Sequence, residues 1–193
     1  RKLIDQTIKA FAEFAKDKED VLLYLNMGEK DLGWAVTELF ETEMRRRGAD
    51  PTAKLVVTPG INYIAAPPDE QLNLIYNAVD IGINTANGEG WGLVPFEHAM
   101  CKKPQIVPAH TSCKDIWKNK GLLIDVAAWV TDKDLGVERG IINYKHAAVL
   151  IQLLYEDEDY RNEVGANCYQ VTQNPSYRWD KIAEGFTKAM ELA

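Results

Sequence analysis

The sequence predicts an α/β fold in which helices cover both faces of a parallel sheet. Three observations carry that expectation. Apolar residues alternate along the chain between helical and strand-like spacing. The strand-like stretches are short apolar runs of the kind buried on both faces. One of them leads through a glycine-rich loop into a helix. In such sheets ligands bind at the carboxyl ends of the strands, where the strand order switches.

Ile4, Ile8, Phe11 and Ala15 recur at helical spacing and predict a helix over residues 3–16. The run from Val21 to Met27 predicts a buried strand. A second helix over 33–47 places Val36, Leu39, Phe40 and Met44 on one face. Arg45, Arg46 and Arg47 close it before Gly48, where cations complement the helix dipole and glycine supplies the cap; the run reads as a solvated helix end. Lys54 to Thr58 is the next strand, and Pro67-Pro68-Asp69 starts a short helix carrying Leu72, Ile75 and Tyr76. Val79, Ile81 and Ile83 then alternate with Asp80, Gly82 and Asn84, as a strand would. After the glycine-rich loop, Pro95 opens a helix where proline is favoured. Ile106-Val107 and Leu122-Leu123-Ile124 supply two more strands. The tail is helical: Val149, Leu150, Leu153 and Leu154 in one helix, residues around 158–170 in another, and Trp179, Ile182, Phe186 and Met190 in a third. No repeat or linker interrupts the pattern, so residues 1–193 read as one domain.

The bulk properties narrow the function classes. A net charge of −7 argues against a general nucleic-acid or anionic-membrane surface. No apolar run approaches the ~18 residues of a membrane span. The start at Arg1-Lys2-Leu3-Ile4-Asp5 lacks a methionine and reads as a cut inside a longer protein. Three cysteines without disulfide-like spacing suit a reducing, cytoplasmic compartment. Cys101, His110 and Cys113 lack a fourth ligand and read as structural, so no metal is expected.

The chemistry concentrates in Asn87-Gly88-Glu89-Gly90-Trp91-Gly92-Leu93-Val94-Pro95-Phe96-Glu97. Glycines let the backbone approach a ligand, and the loop amides with the helix start form an anion site. The segment has no Gly-Lys-Ser/Thr of a Walker loop and not the spacing of a dinucleotide fingerprint. Glu89 is the informative residue: a carboxylate repels phosphate but accepts well from hydroxyls. Phosphate beside a polyol describes a sugar nucleotide. Glu97 reads either as a first-turn acid favoured by the dipole or as a ligand group. Val94, three residues before it, cannot complete a capping box, and that favours the ligand role.

Glu89 and Glu97, with seven residues between them that include Gly-Trp-Gly-Leu, resemble the E-x7-E motif of retaining GT-B glycosyltransferases, family 4 or group 1 in type. The resemblance spans nearly the whole chain. Lys2 to Phe11 is similar to that family's Lys-Gly-Leu-Asp helix. Asp69 to Asp80 resembles its Asp-Glu-Glu-Leu helix, Glu97 to Pro104 its Glu-Ala-Met-Ala-x-Gly-x-Pro segment, and Tyr177-Arg178-Trp179 its Phe-Ser-Trp. The resemblance implies a Rossmann-like fold, one half of a two-domain enzyme, whose N-terminal acceptor domain and first strand lie upstream of Arg1. It implies a nucleoside-diphosphate-sugar donor, retention of configuration and no obligatory metal or other cofactor. By the same resemblance Glu89 binds the donor sugar and Lys2 neutralises the diphosphate leaving group. Gly90, Trp91, Gly92 and Leu93 offer main-chain amides to sugar and diphosphate, Glu97 takes the ribose hydroxyls, and Pro59-Gly60-Ile61 flanks the base. The acceptor, whether glycan, lipid or protein, belongs to the other domain, as does any membrane docking.

Some positions depart from the family. Its arginine a few residues before the lysine falls upstream, with Arg1 a poor substitute. Its Gly-Gly turn is Ala109-His110-Thr111-Ser112-Cys113 here, so His110 or Thr111 takes over a backbone contact. Lys103 stands where the family has glycine, which predicts a strained turn. Asp132-Lys133-Asp134 has the form of a metal-binding triplet but reads as an acidic loop. His98 and His146 read as packing or surface histidines, and Trp91 as a sugar platform or a wedge against the core. Two other classes fit the same residues: a nucleotide-sugar-binding module without transfer, and a GT-B sugar-nucleotide epimerase.

Overall fold

The computed structural model of the chain describes residues 2–31, 33–58 and 67–192. Helix α1 (Ile4–Ala15) leads to strand β1 (Leu23–Leu25) and to two short antiparallel strands, β2 (Lys30–Asp31) and β3 (Trp34–Ala35). Helix α2 (Val36–Arg46), strand β4 (Leu55–Val57) and helix α3 (Asp69–Ala78) follow. Then come β5 (Gly82–Ile83), α4 (Leu93–Met100), β6 (Gln105–Pro108), α5 (Thr111–Trp117) and β7 (Leu122–Ile124). A hairpin of β8 (Val126–Asp132) and β9 (Val137–Ile142) precedes α6 (Tyr144–Glu156), α7 (Glu158–Thr172), a 3₁₀ turn at Pro175–Tyr177 and α8 (Trp179–Glu191).

The sheet strands are parallel. β1 pairs with β4, and β6 lies between β5 and β7. Among the described residues these two groups do not hydrogen-bond to one another. All four residues of β6 are buried, and since successive side chains point to opposite faces, both faces are covered. α4, α5, α6 and α7 all pack on this strand. α1 packs on α2 and α6 through Ile8, Phe11 and Ala15. Trp117, Phe40, Ile8 and Met44 are the largest side chains fully withdrawn from water. Each contributes roughly 1.5–3 kcal/mol of transfer free energy.

The predicted elements are present, with β1 and β5 shorter than the apolar runs that announce them. The sequence reading lacked α5 and the β8–β9 hairpin. Two expectations are corrected. Arg47 is not a solvated helix end: its side chain is 12% exposed, bonds Glu43 at 2.6 Å and Glu13 at 3.0 Å, and lies over the Tyr144 ring. It ties α2 to α1, while Gly48 at φ +73 ends the helix as expected. The strain near the α4 end falls on Lys102, at φ +59, rather than on Lys103. Asp132 ends β8, and Lys133 and Asp134 begin the hairpin turn. The Asp132 carboxylate accepts from the amides of Asp134 and Leu135 and pairs with Arg139 at 3.2 Å, and those amide bonds hold its pKa below the ordinary range. No three His, Cys, Asp or Glu side chains among the described residues form a metal-binding cluster. No helix there is long and apolar enough to cross a membrane.

Candidate functional site

The carboxyl end of β5 opens into the loop of residues 84–92, and the start of α1 is fastened to it. Thr85 Oγ1 donates to the Lys2 and Leu3 carbonyls, each at 3.1 Å, and meets Thr7 Oγ1 at 2.8 Å. This knot sets Lys2 beside the loop, where its ammonium bonds Glu89 Oε1. The Glu89 side chain is 6% exposed and that of Lys2 59%. The two predicted catalytic residues, 87 positions apart, are therefore in contact.

Further along, Gly92 adopts φ +85, a conformation open to glycine at little cost, and caps α4. Leu93 is then the first helical residue, so Pro95 is third rather than first, and Glu97 sits in the second turn. The reading of Glu97 as a first-turn acid is corrected accordingly. Glu97 accepts from the Tyr76 hydroxyl of α3 at 2.8 Å. Burial, and then this bond to a carboxylate, raise the Tyr76 pKa. The Tyr76 ring stacks on His98 at 5.4 Å. His98 is buried with Nε2 3.3 Å from the Val79 carbonyl and Nδ1 3.2 Å from the Gln105 amide; burial lowers its pKa.

Trp91 wedges against the body of the domain. Its ring meets Phe96 at 5.5 Å and Tyr177 edge-on at 4.8 Å. Gly90, Gly92 and Leu93 complete the turn, and Leu93 and Val94 leave their side chains exposed at the α4 start. Pro59, Gly60 and Ile61 lie outside the described residues. Thr58, the last described residue before them, ends a cavity of about 780 Å³ that runs beside β4 and α2 along Phe40, Leu55 and Val57. No residue of the 84–92 loop lines that cavity.

Three neighbours of the loop escaped the sequence reading as functional residues. Ser112 Oγ donates to the Glu89 carbonyl at 2.9 Å. Tyr76 appeared only as a helix-face residue. Arg139, from β9, reaches Gly88 so closely that a Cβ there would stand 2.9 Å from its Nη1. Its sole sequence signal was the Asp-Leu-Gly turn at Asp134–Gly136, which separates two β-rich runs and marks a hairpin. His110, one of the two candidates for the Gly-Gly contact, is buried against that hairpin. Trp129 packs edge-on to it at 5.7 Å, burial lowers its pKa, and its Nε2 has no hydrogen-bond partner among the described residues. Cys113 is buried nearby, its thiol pushed up to about 11 by burial and then by the Glu89 charge. Cys168 is likewise buried, and Cys101 is partly exposed.

Parallel strands covered by helices, with a carboxylate-bearing glycine loop at the carboxyl end of one strand, make a Rossmann-like α/β domain. No protein-family model matches the chain, and no curated protein matches its sequence. Solved structures match its fold. The C-terminal domain of a group 1 family glycosyl transferase from Francisella tularensis aligns over 90% of this chain and 79% of its own, at 18% identity and a TM-score of 0.65. Sucrose-phosphate synthase from Thermosynechococcus elongatus aligns over 100% of this chain and 42% of its own, at 19% identity and a TM-score of 0.67. The Anabaena protein HepE, solved with UDP and glucose, aligns over 99% and 44%, at 19% identity and a TM-score of 0.65. The fold is that of the C-terminal domain of group 1 glycosyltransferases, and the chain spans less than half the length of the two longer neighbours.

Proposed function

We propose that this chain is the donor-binding half of a retaining, hexosyl-type glycosyltransferase that takes a nucleoside-diphosphate sugar. One observation carries the proposal: Glu89, at the mouth of a parallel strand, is paired with Lys2, and Glu97 is held by Tyr76 one helix turn beyond the loop. The residues divide the donor between them. Glu97 accepts from the ribose hydroxyls, the amides of Gly90 to Leu93 and the Lys2 ammonium receive the diphosphate, and Glu89 accepts from the sugar hydroxyls. Lys2 is mostly exposed, so its pair with Glu89 contributes at most about 1 kcal/mol and exchanges readily for a diphosphate partner. When the glycosidic bond to the diphosphate breaks, the charge left on phosphate falls where the lysine and amides stand, and such stabilisation is the largest electrostatic requirement of the step. No metal takes part in this account.

We place an acceptor domain and a further central strand in chain outside these residues. Among the described residues the β1–β4 pair and the β5–β6–β7 sheet share no hydrogen bonds, which supports a strand between them. That these neighbours are more than twice as long as this chain supports the domain. Pro59 and Gly60, following Thr58, flank the base.

The test is thermal denaturation of the chain with UDP, GDP, ADP and their sugar conjugates, because a ligand that binds only the folded state raises the melting temperature by mass action. One nucleoside diphosphate is expected to stabilise the chain. A folded chain indifferent to all three would overturn the proposal.

A further inference from the structure

We propose that Thr111 and Ser112 are positioning residues for Glu89, clamping both of its backbone polar groups. The inference rests on the role given to Glu89 above. The Glu89 N–H donates to Thr111 Oγ1 at 3.3 Å, and Ser112 Oγ donates to the Glu89 carbonyl at 2.9 Å. Two successive hydroxyls on one helix thus hold one residue of a distant loop.

The first reason to read this as a device is strain. Thr111 has φ +51, in the left-handed region. A β-branched residue is a true outlier there, because its Cβ crowds the following carbonyl, whereas glycine enters freely. A residue kept in such a conformation marks a position where something besides local stability is needed. The side chain supplies what glycine lacks, a hydroxyl aimed at Glu89.

The second reason is that these hydroxyls are not ordinary helix caps. His110 is the N-cap of α5, and no side chain among the described residues caps that helix. Thr111 and Ser112 instead turn toward the loop. Behind them His110 Nδ1 lies 3.4 Å from Thr111 Oγ1, and the His110 ring is pinned by Trp129 and by Gly140, where a Cβ would stand 2.6 Å from the ring. The hairpin thereby steadies the residue that orients the threonine hydroxyl.

The third reason is the loop itself. Glu89 sits between Gly88 and Gly90, and nothing would crowd a Cβ at Gly90. Glycines on both sides give this stretch extra conformational freedom to lose. Clamping the intervening residue fixes where its carboxylate stands while leaving its neighbours smooth for a ligand.

The test compares Thr111→Gly, Thr111→Ser and Ser112→Ala in the whole chain. Thr111→Gly relieves the strain, so its melting temperature should rise by about 2–4 °C. The same substitution should speed exchange of the Glu89 amide, followed residue by residue by NMR, about 5- to 10-fold. Thr111→Ser should retain wild-type exchange. Ser112→Ala should weaken the response to UDP-glucose, GDP-mannose or ADP-glucose, whichever stabilises the wild type, more than the response to the matching diphosphate. Unchanged Glu89 exchange in both Thr111→Gly and Ser112→Ala would overturn the clamp. The exchange arm needs no ligand, so a wild-type chain that binds no nucleotide would refute the proposed function while the clamp was still decided.

Discussion

Glu89 and Glu97 belong to one short motif, yet different parts of the molecule hold them. Glu89 is bound by residues far away in sequence: Lys2 from the start of α1, and Thr111 and Ser112 from α5. Glu97 is held on a regular helix by the Tyr76 phenol from the preceding helix, α3. The first carboxylate stands in a loop that needs several ties; the second inherits its place from α4. The contrast matches their proposed duties. A group facing the reacting sugar must be set to within a fraction of an ångström, and a group holding the ribose needs only to face the right way.

The substitution expected to separate them most is Glu89→Gln. It removes the charge with little change of shape, and should lower transfer by about 100-fold or more in the protein that carries the acceptor domain, a loss typical of one electrostatic catalytic group. Wild-type rates would take Glu89 out of the mechanism. Glu97→Ala comes next: nucleoside-diphosphate affinity, measured by calorimetric titration, should weaken by roughly 1–3 kcal/mol as the ribose hydroxyls lose their acceptor. Unaltered affinity would reduce Glu97 to a surface acid on α4. Tyr76→Phe sharpens the same point. It leaves Glu97 in place without its hydroxyl partner, and affinity should fall by about 0.5–1.5 kcal/mol.

The smallest effect concerns pH. The buried His98 under Tyr76 is held below its ordinary value of 6.5, mainly by burial. Its neutral ring stabilises the fold above that value, and the contribution is lost as pH falls through the depressed folded-state value. Urea midpoints should therefore decline as pH falls below 6.5, with the His98 ring titrating by NMR below the value of an unfolded-state histidine. A His98 that titrates normally would contradict this.

Much of this was legible in the sequence, for physical reasons that differ by region. Helix and strand periodicity exposed the α/β order, because each element buries a continuous face. The loop was legible because glycines beside a carboxylate have few structural uses. The ties to the loop were not, since Ser112 and Arg139 meet it only after β6 and β9 have folded against it, and no local pattern encodes such a meeting. The hairpin was overlooked although Val126-Ala127-Ala128-Trp129-Val130 is apolar: the run has no alternation, and most of its residues are exposed, so no buried face marked it as a strand. The last two helices teach the limit of pattern. α8 has a marked apolar stripe, yet Trp179, Phe186 and Met190 are 83%, 69% and 72% exposed. α7, with a weaker stripe, buries Val164, Cys168 and Val171. Periodicity tells that a face wants cover and is silent on whether these residues provide it.

The central claim, that Glu97 holds the nucleoside and Glu89 the sugar, is tested most directly by titrating wild type, Glu89→Gln and Glu97→Ala with a nucleoside diphosphate and with its sugar conjugate. The account predicts that Glu97→Ala weakens both ligands alike, whereas Glu89→Gln leaves the diphosphate unchanged and removes the extra affinity that the sugar confers. Equal losses for both ligands in both variants would contradict the division of the site between the two carboxylates.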